Sequence, residues 1–334
     1  MRRRTAATPA GSRPREHSGA RWEPGAGDRR RRLVAAPPRR RAGVILPATL
    51  LALACVSPAA SGRWQAPDSA PIKPVRIIPA PRALVDGTAP LPGGVIWVLY
   101  GNRSAMRLGR VELSTGATRH SVAVSRTATC IAGSSRGVIA LGLARPTTGA
   151  VEFLDATTGR RVGSAAVKGP VRALAFGYGG ETLYVLNGTA ASMAVTRINT
   201  SSFHVARAER VPHDSIGIVP DRSETAVWTL QRSGALEETS LTSGETLAAL
   251  STGNPGVAVA ASPDGDRIYV LKRTATTMNV SIITSATEDV ARLVPVALDS
   301  VSLALSPDGR TLYDFVGTPR YGNIQEIALA RGGG

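Results

Sequence analysis

From about residue 72 to the C-terminal end, short apolar runs with interleaved polar residues recur, and Gly, Pro, Asn or Asp stops each one. That alternation has the period of a β-strand. The stretch Ala261-Ser-Pro-Asp-Gly-Asp-Arg-Ile-Tyr-Val-Leu271 carries it most clearly. Pro presets φ and Gly accepts φ > 0, so Pro-Asp-Gly turns the chain tightly between two β-rich runs and makes a hairpin. The pattern returns over residues 305–315 and, in worn form, over 177–186. Helical periodicity is weak throughout, and residues 237–250 come nearest to it.

Aligned on the second strand of each unit, Trp97, Ile139, Tyr184, Trp228, Tyr269 and Tyr313 follow one another at spacings of 42, 45, 44, 41 and 44. In the fifth unit four strands are predicted, over 256–261, 266–272, 278–284 and 289–296. A period in the low forties with four strands per unit marks a β-propeller blade, which buries its faces only against neighbouring blades. The fold class is therefore all-β, a single propeller over residues 72–330. Six units are visible; units one, two and four lack the Pro-Asp-Gly turn, which leaves six or seven blades open. The sixth unit ends after its third strand, at 323–330, and residues 72–78 are predicted to supply the missing fourth strand and close the ring. Pro74 restricts that strand to an edge. The anchoring aromatics are predicted to be core.

The copies Ser262-Pro-Asp-Gly-Asp-Arg-Ile-Tyr-Val270 and Ser306-Pro-Asp-Gly-Arg-Thr-Leu-Tyr-Asp314, with 181–186 as a weaker third, resemble the YVTN-type β-propeller repeats of bacterial surface and periplasmic proteins. The resemblance implies a fold and no single activity, because related propellers include binding proteins, lactonases, lyases and peptidase-associated domains.

Charge changes the picture only at the N-terminal end. Of the net +16, residues 1–41 hold 13 Arg against Glu16, Glu23 and Asp28, a balance of +10, and the remainder of the chain carries +6. The basicity thus sits mostly in a segment outside the repeats, and nucleic acid is not expected as a partner. Residues 1–41 form a basic leader with too little apolar content to fold alone. The leader is long for an export signal; a translation start near Val34 would account for it, and the Arg/Ala/Pro-heavy composition fits a GC-rich bacterial genome.

Arg39-Arg40-Arg41 then meets an uncharged apolar run over 42–54 that ends Ala52-Leu53-Ala54, followed by Cys55. A basic n-region, an apolar h-region and a small-residue end read as a secretory signal. The segment 42–55 also resembles a bacterial lipoprotein signal, which would make Cys55 the lipidated N-terminal residue, although Ala52 stands where that box has Leu. Lipidation, plain secretion and an uncleaved membrane anchor are the three alternatives. Residues 56–71 read as a Pro/Ala/Ser tether. The expected location is extracytoplasmic, lipid-anchored in the cell membrane or secreted. Cys55 and Cys130 are the only cysteines, which excludes a disulfide framework and a cysteine-rich zinc site.

Candidate chemistry is sparse. No HExxH, Walker A, βαβ-type GxGxxG, GxSxG or calcium-loop motif occurs, so neither a cofactor nor a metal is expected. Asp264 and Asp308 read as turn residues that bond their own backbone. His17 lies in the leader; His120 and His204 fall at predicted outer strands. His213 and Asp214, in a loop between units three and four, are the one pair with acid–base chemistry within reach, and they lack a third partner. The predicted channel-facing strands 172–176, 216–219, 257–261 and 301–305 are almost wholly apolar, which speaks against catalysis in the channel. The connection between second and third strands carries Arg103, Arg145, Arg232, Arg273 and Arg320, with Asn187-Gly188 in the third unit. Such loops share one face of a propeller, and guanidinium forks suit carboxylate or phosphate. The expected function is a non-catalytic scaffold that binds an anionic ligand or another extracytoplasmic protein; the alternative is a propeller enzyme of the lactonase or lyase type.

Overall fold

The computed structural model describes residues 73–329. The leader, the signal-like segment with Cys55 and the tether lie outside the described residues. Within them the chain forms 24 strands in six antiparallel four-stranded sheets. Six blades is therefore the number.

The first blade is β2 (Leu84–Gly87), β3 (Val95–Asn102), β4 (Ala105–Glu112) and β5 (Thr118–Val124). The second is β6 (Ala128–Gly133), β7 (Val138–Ala144), β8 (Thr148–Asp155) and β9 (Arg161–Lys168), and the third β10 (Val171–Phe176), β11 (Thr182–Thr189), β12 (Ser192–Asn199) and β13 (Val205–Val211). The fourth is β14 (Ser215–Pro220), β15 (Ala226–Gln231), β16 (Ala235–Ser240) and β17 (Thr246–Ser251), so residues 237–250 are two strands and a turn. The fifth is β18 (Gly256–Ala261), β19 (Arg267–Arg273), β20 (Met278–Thr284) and β21 (Val290–Val296). The sixth takes β22 (Ser300–Leu305), β23 (Thr311–Gly317) and β24 (Gly322–Ala328) from the end of the chain and β1 (Arg76–Ala80) from its start.

This last pairing closes the ring. β1 runs antiparallel to β24, with Ile78 opposite Ile324, and adds the fourth strand that the sixth unit lacks. It begins at Arg76, after Pro74, and the proline it contains is Pro79, tolerated because β1 is an outermost strand with one edge unpaired.

One turn joins the first two strands of every blade. Gly94, Gly137, Gly180, Glu224, Gly265 and Gly309 each donate their N–H to the carbonyl three residues back, and each has φ between 57° and 75°. Blades without Pro-Asp-Gly make the same turn because what it requires is a residue at positive φ, which glycine accepts freely. Asp264 and Asp308 do bond their own turns, accepting from the N–H of Asp266 and Arg310 and from the hydroxyls of Ser262 and Ser306.

The core is divided into six apolar clusters, one between each pair of adjacent blades, including one between the sixth and the first. Alternation on each second strand sends successive side chains to the two neighbouring interfaces. Trp97, Tyr184, Trp228, Tyr269 and Tyr313 are all buried. Some also tie blade to blade: Trp97 Nε1 donates to the Ala156 carbonyl at 2.9 Å, and the Tyr184 hydroxyl to the Glu224 carboxylate at 3.1 Å.

Candidate functional site

Each innermost strand is paired on one edge only, and together the six line a central channel of about 530 Å³. All six carry a β-bulge at the same place, just inside the strand's first residue. A bulge inserts one unpaired residue and re-aims its side chain. Val85, Thr129, Arg172, Ile216, Val257 and Val301 are the inserted residues, and all six line the channel as a ring at one mouth. Five are uncharged. Arg172 is the exception, and among the described residues its side chain has one partner, the Gly188 carbonyl, 3.4 Å from Nε.

One residue further in, the corresponding positions are Asp86, Cys130, Ala173, Gly217, Ala258 and Ser302. Asp86 accepts from its neighbour Gly87 N–H at 2.8 Å, from Ile131 N–H of the second blade at 2.8 Å and from the Ser302 hydroxyl of the sixth at 2.6 Å. One carboxylate thus joins three blades. Burial raises its pKa to about 6, against the pull of those three hydrogen bonds. Cys130 is buried, and desolvation, with the Asp86 charge, pushes its thiol well above the ordinary cysteine range. Such a thiol is a poor nucleophile.

Asp86 escaped the sequence reading. The signal was present: it stands as far before Trp97 as Ser302 stands before Tyr313, so the repeat places it on a channel strand.

The ring of bulges lies at the end where the arginine-bearing connections are. There the two sets of loops are hydrogen-bonded together, as in Arg232 N–H to the Asp214 carbonyl at 3.1 Å and Arg273 N–H to the Pro255 carbonyl at 3.0 Å. Arg103, Arg145, Arg232 and Arg320 lie in the connections after the second strands and Arg273 is the last residue of β19; all five are exposed. In the third blade Asn187 is buried within β11, bonded to the Lys168 carbonyl and to Thr196. None of the five lines the channel; Arg172 is the guanidinium that does.

Two further exposed arginines, Arg82 and Arg126, stand in loops that cross from one blade to the next at this same end. Against them the connections offer two acids, Asp214 and Asp299, and Asp299 accepts from the Tyr321 hydroxyl at 2.7 Å. Among the described residues none of these seven arginines makes an ion pair or a side-chain hydrogen bond. The opposite end carries both signs: Arg222 pairs with Asp266 at 2.6 Å, Glu224 accepts from Tyr178 N–H at 2.7 Å, and Asp221, Asp264 and Asp308 cap their own turns, while Arg160, Arg310, Glu288 and Asp289 are exposed in the turns there.

His213 Nδ1 lies 3.5 Å from Asp214 Oδ2, with both side chains exposed at the arginine-bearing end. His120 is exposed on β5, edge-on to Trp97, and His204 is exposed just before β13. Among the described residues no group of three or more metal-ligating side chains occurs, and no helix is long and apolar enough to cross a membrane. No protein-family model matches the chain, and no curated protein matches it.

Proposed function

We propose that this propeller is a non-catalytic binding scaffold that captures an anionic partner on its arginine-bearing face. The observation that carries the reading is the charge balance of one end: among the described residues seven exposed arginines stand there without an ion pair or side-chain hydrogen bond, against two acids in the same connections. A guanidinium is less strongly hydrated than an ammonium and presents a planar fork that fits carboxylate or phosphate, and these need break no protein ion pair to engage one. The reading extends to an exported protein with YVTN-type repeats, held to the membrane through Cys55 by the lipoprotein-like segment, so that the partner is an extracytoplasmic anionic ligand or protein. A lactonase- or lyase-type activity would have to be built on His213 and Asp214, which are solvent-exposed and lack a third group to orient them.

The test is binding of long-chain polyphosphate to the full chain at low and moderate salt, read by thermal shift, beside a variant with Arg103, Arg145, Arg232, Arg273 and Arg320 changed to Gln. Ligand at about 100 times its Kd stabilises by about 2.7 kcal/mol. A salt-sensitive rise that the variant loses supports the reading; an equal rise in both proteins, or none in either, refutes it. Mass analysis of the mature N-terminus tests the anchor, which requires a lipid-modified Cys55 as the first residue.

A further inference from the structure

We infer that the channel is a site for a small amphipathic carboxylate, bound head-first to Arg172 with its apolar body among the channel walls. The inference deepens the reading of the arginine-bearing face, which would draw such an anion toward the mouth.

Three observations converge. The channel, at about 530 Å³, has the size of a small-molecule site. Its mouth ring holds a single charge: Val85, Ile216, Val257 and Val301 are apolar, Thr129 spends its hydroxyl on the Val171 carbonyl at 3.0 Å, and Arg172 stands without a carboxylate partner. A guanidinium exposed among apolar walls, with only a 3.4 Å contact to the Gly188 carbonyl, keeps its fork free for two parallel hydrogen bonds. The third observation is the polarity of the deeper ring. Asp86, the one acid there, spends both carboxylate oxygens on Gly87, Ile131 and Ser302, so it offers no free oxygen to a ligand ammonium, and the Arg172 fork is the charged group left to take a ligand's head. What remains for the ligand beyond its head group is wall made of Leu174, Val259 and Leu303 and their neighbours, which rewards an apolar tail.

The probes are octanoate, octanol, octylammonium and acetate, titrated calorimetrically into the full chain and into Arg172→Gln and Arg172→Glu, each checked for an unchanged folded circular-dichroism spectrum. Octanoate should bind more tightly than any of the other three, and Arg172→Gln should weaken it by about tenfold or more, the range of a lost charge-assisted hydrogen bond. Arg172→Glu should exchange the preference, so that octylammonium binds in place of octanoate. Octanol or octylammonium binding the native protein as tightly as octanoate, indifference of octanoate to both variants, or no octanoate binding at all would each overturn the inference. If either variant fails to fold, the four-probe ranking on the native protein decides alone. Failure here is separable from failure of the polyanion reading, because that reading is tested on five loop arginines that do not line the channel and this one on Arg172, which does.

Discussion

Ser302 donates a 2.6 Å hydrogen bond to Asp86 across the seam where the sixth blade meets the first, joining residues 216 positions apart. The seam is where the ring closes, and the same carboxylate reaches on to Ile131 in the second blade. A polar contact at this place acts on the closure as a whole.

Asp86 makes the seam pH-dependent. Its pKa is about 6 in the folded protein, and that of the buried Asp314 about 7, against an ordinary value of 3.8. From about pH 4 up to each folded pKa, the unfolded chain has released the proton that the folded protein still holds, so the unfolded state binds fewer protons and stability falls as pH rises. Above both folded values the loss is complete, and for each group it is on the order of a few kcal/mol. Thermal unfolding should therefore show a higher midpoint at pH 5 than at pH 8. Asp86→Asn should flatten the slope between pH 4 and 6 whatever it does to the absolute midpoint. A midpoint that climbs steadily from pH 5 to 8 would contradict the assignment.

Gly87 and Phe315 meet at the same seam. A Cβ built on Gly87 would lie 2.1–2.5 Å from the Phe315 ring, which is itself fully buried. Gly87→Ala should cost about 1–3 kcal/mol by overpacking. Phe315→Leu costs stability on its own by leaving a gap, yet it makes room for the new methyl group. The double variant should consequently be more stable than the sum of the two singles predicts, and strict additivity in a denaturant-based mutant cycle would show that the two do not compete for the space.

Cys130 should be silent in the native state. Burial at 5% exposure and a raised thiol pKa both keep the thiolate away from solvent. Iodoacetamide at pH 8 followed by peptide mapping should leave Cys130 unmodified in the folded protein and modify it in denaturant, with the peptide assignment separating it from Cys55. Rapid native labelling would mean that the channel wall opens at this blade.

Glu224 is the one non-glycine at the shared turn position, at φ 57°. Its carboxylate accepts from Tyr178 N–H and the Tyr184 hydroxyl of the preceding blade. Glu224→Gly relieves backbone strain and loses both bonds. Since hydrogen bonds to a charged group are worth about 1.5–3 kcal/mol and the strain relieved is about 1 kcal/mol, the change should be net destabilising. A more stable glycine variant would show that the inter-blade bonds contribute little.

Much of this protein is dictated locally. The alternation along each strand, the Pro-Asp-Gly turns and the spacing of Trp97, Ile139, Tyr184, Trp228, Tyr269 and Tyr313 depend on neighbours in the chain, and so strands, hairpins, the four-stranded unit and the need for a returning N-terminal strand are all written in the order of residues. The arginines of the connections were equally visible, because a loop position follows from the strands on either side of it. What only the ring decides is which distant residues meet. The number of blades follows from the pairing of β1 with β24. The six bulges leave no mark in composition, since one extra residue in a strand edge looks like one more residue of strand; they nonetheless select Arg172 and five uncharged neighbours for the mouth. Asp86 reads locally as an ordinary polar residue before a glycine. Its three-blade contact exists because packing of neighbouring blades brings Ile131 and Ser302 to it, and its pKa is raised because that packing buries it, against the pull of those bonds; neither effect is a property of the residues beside it in sequence.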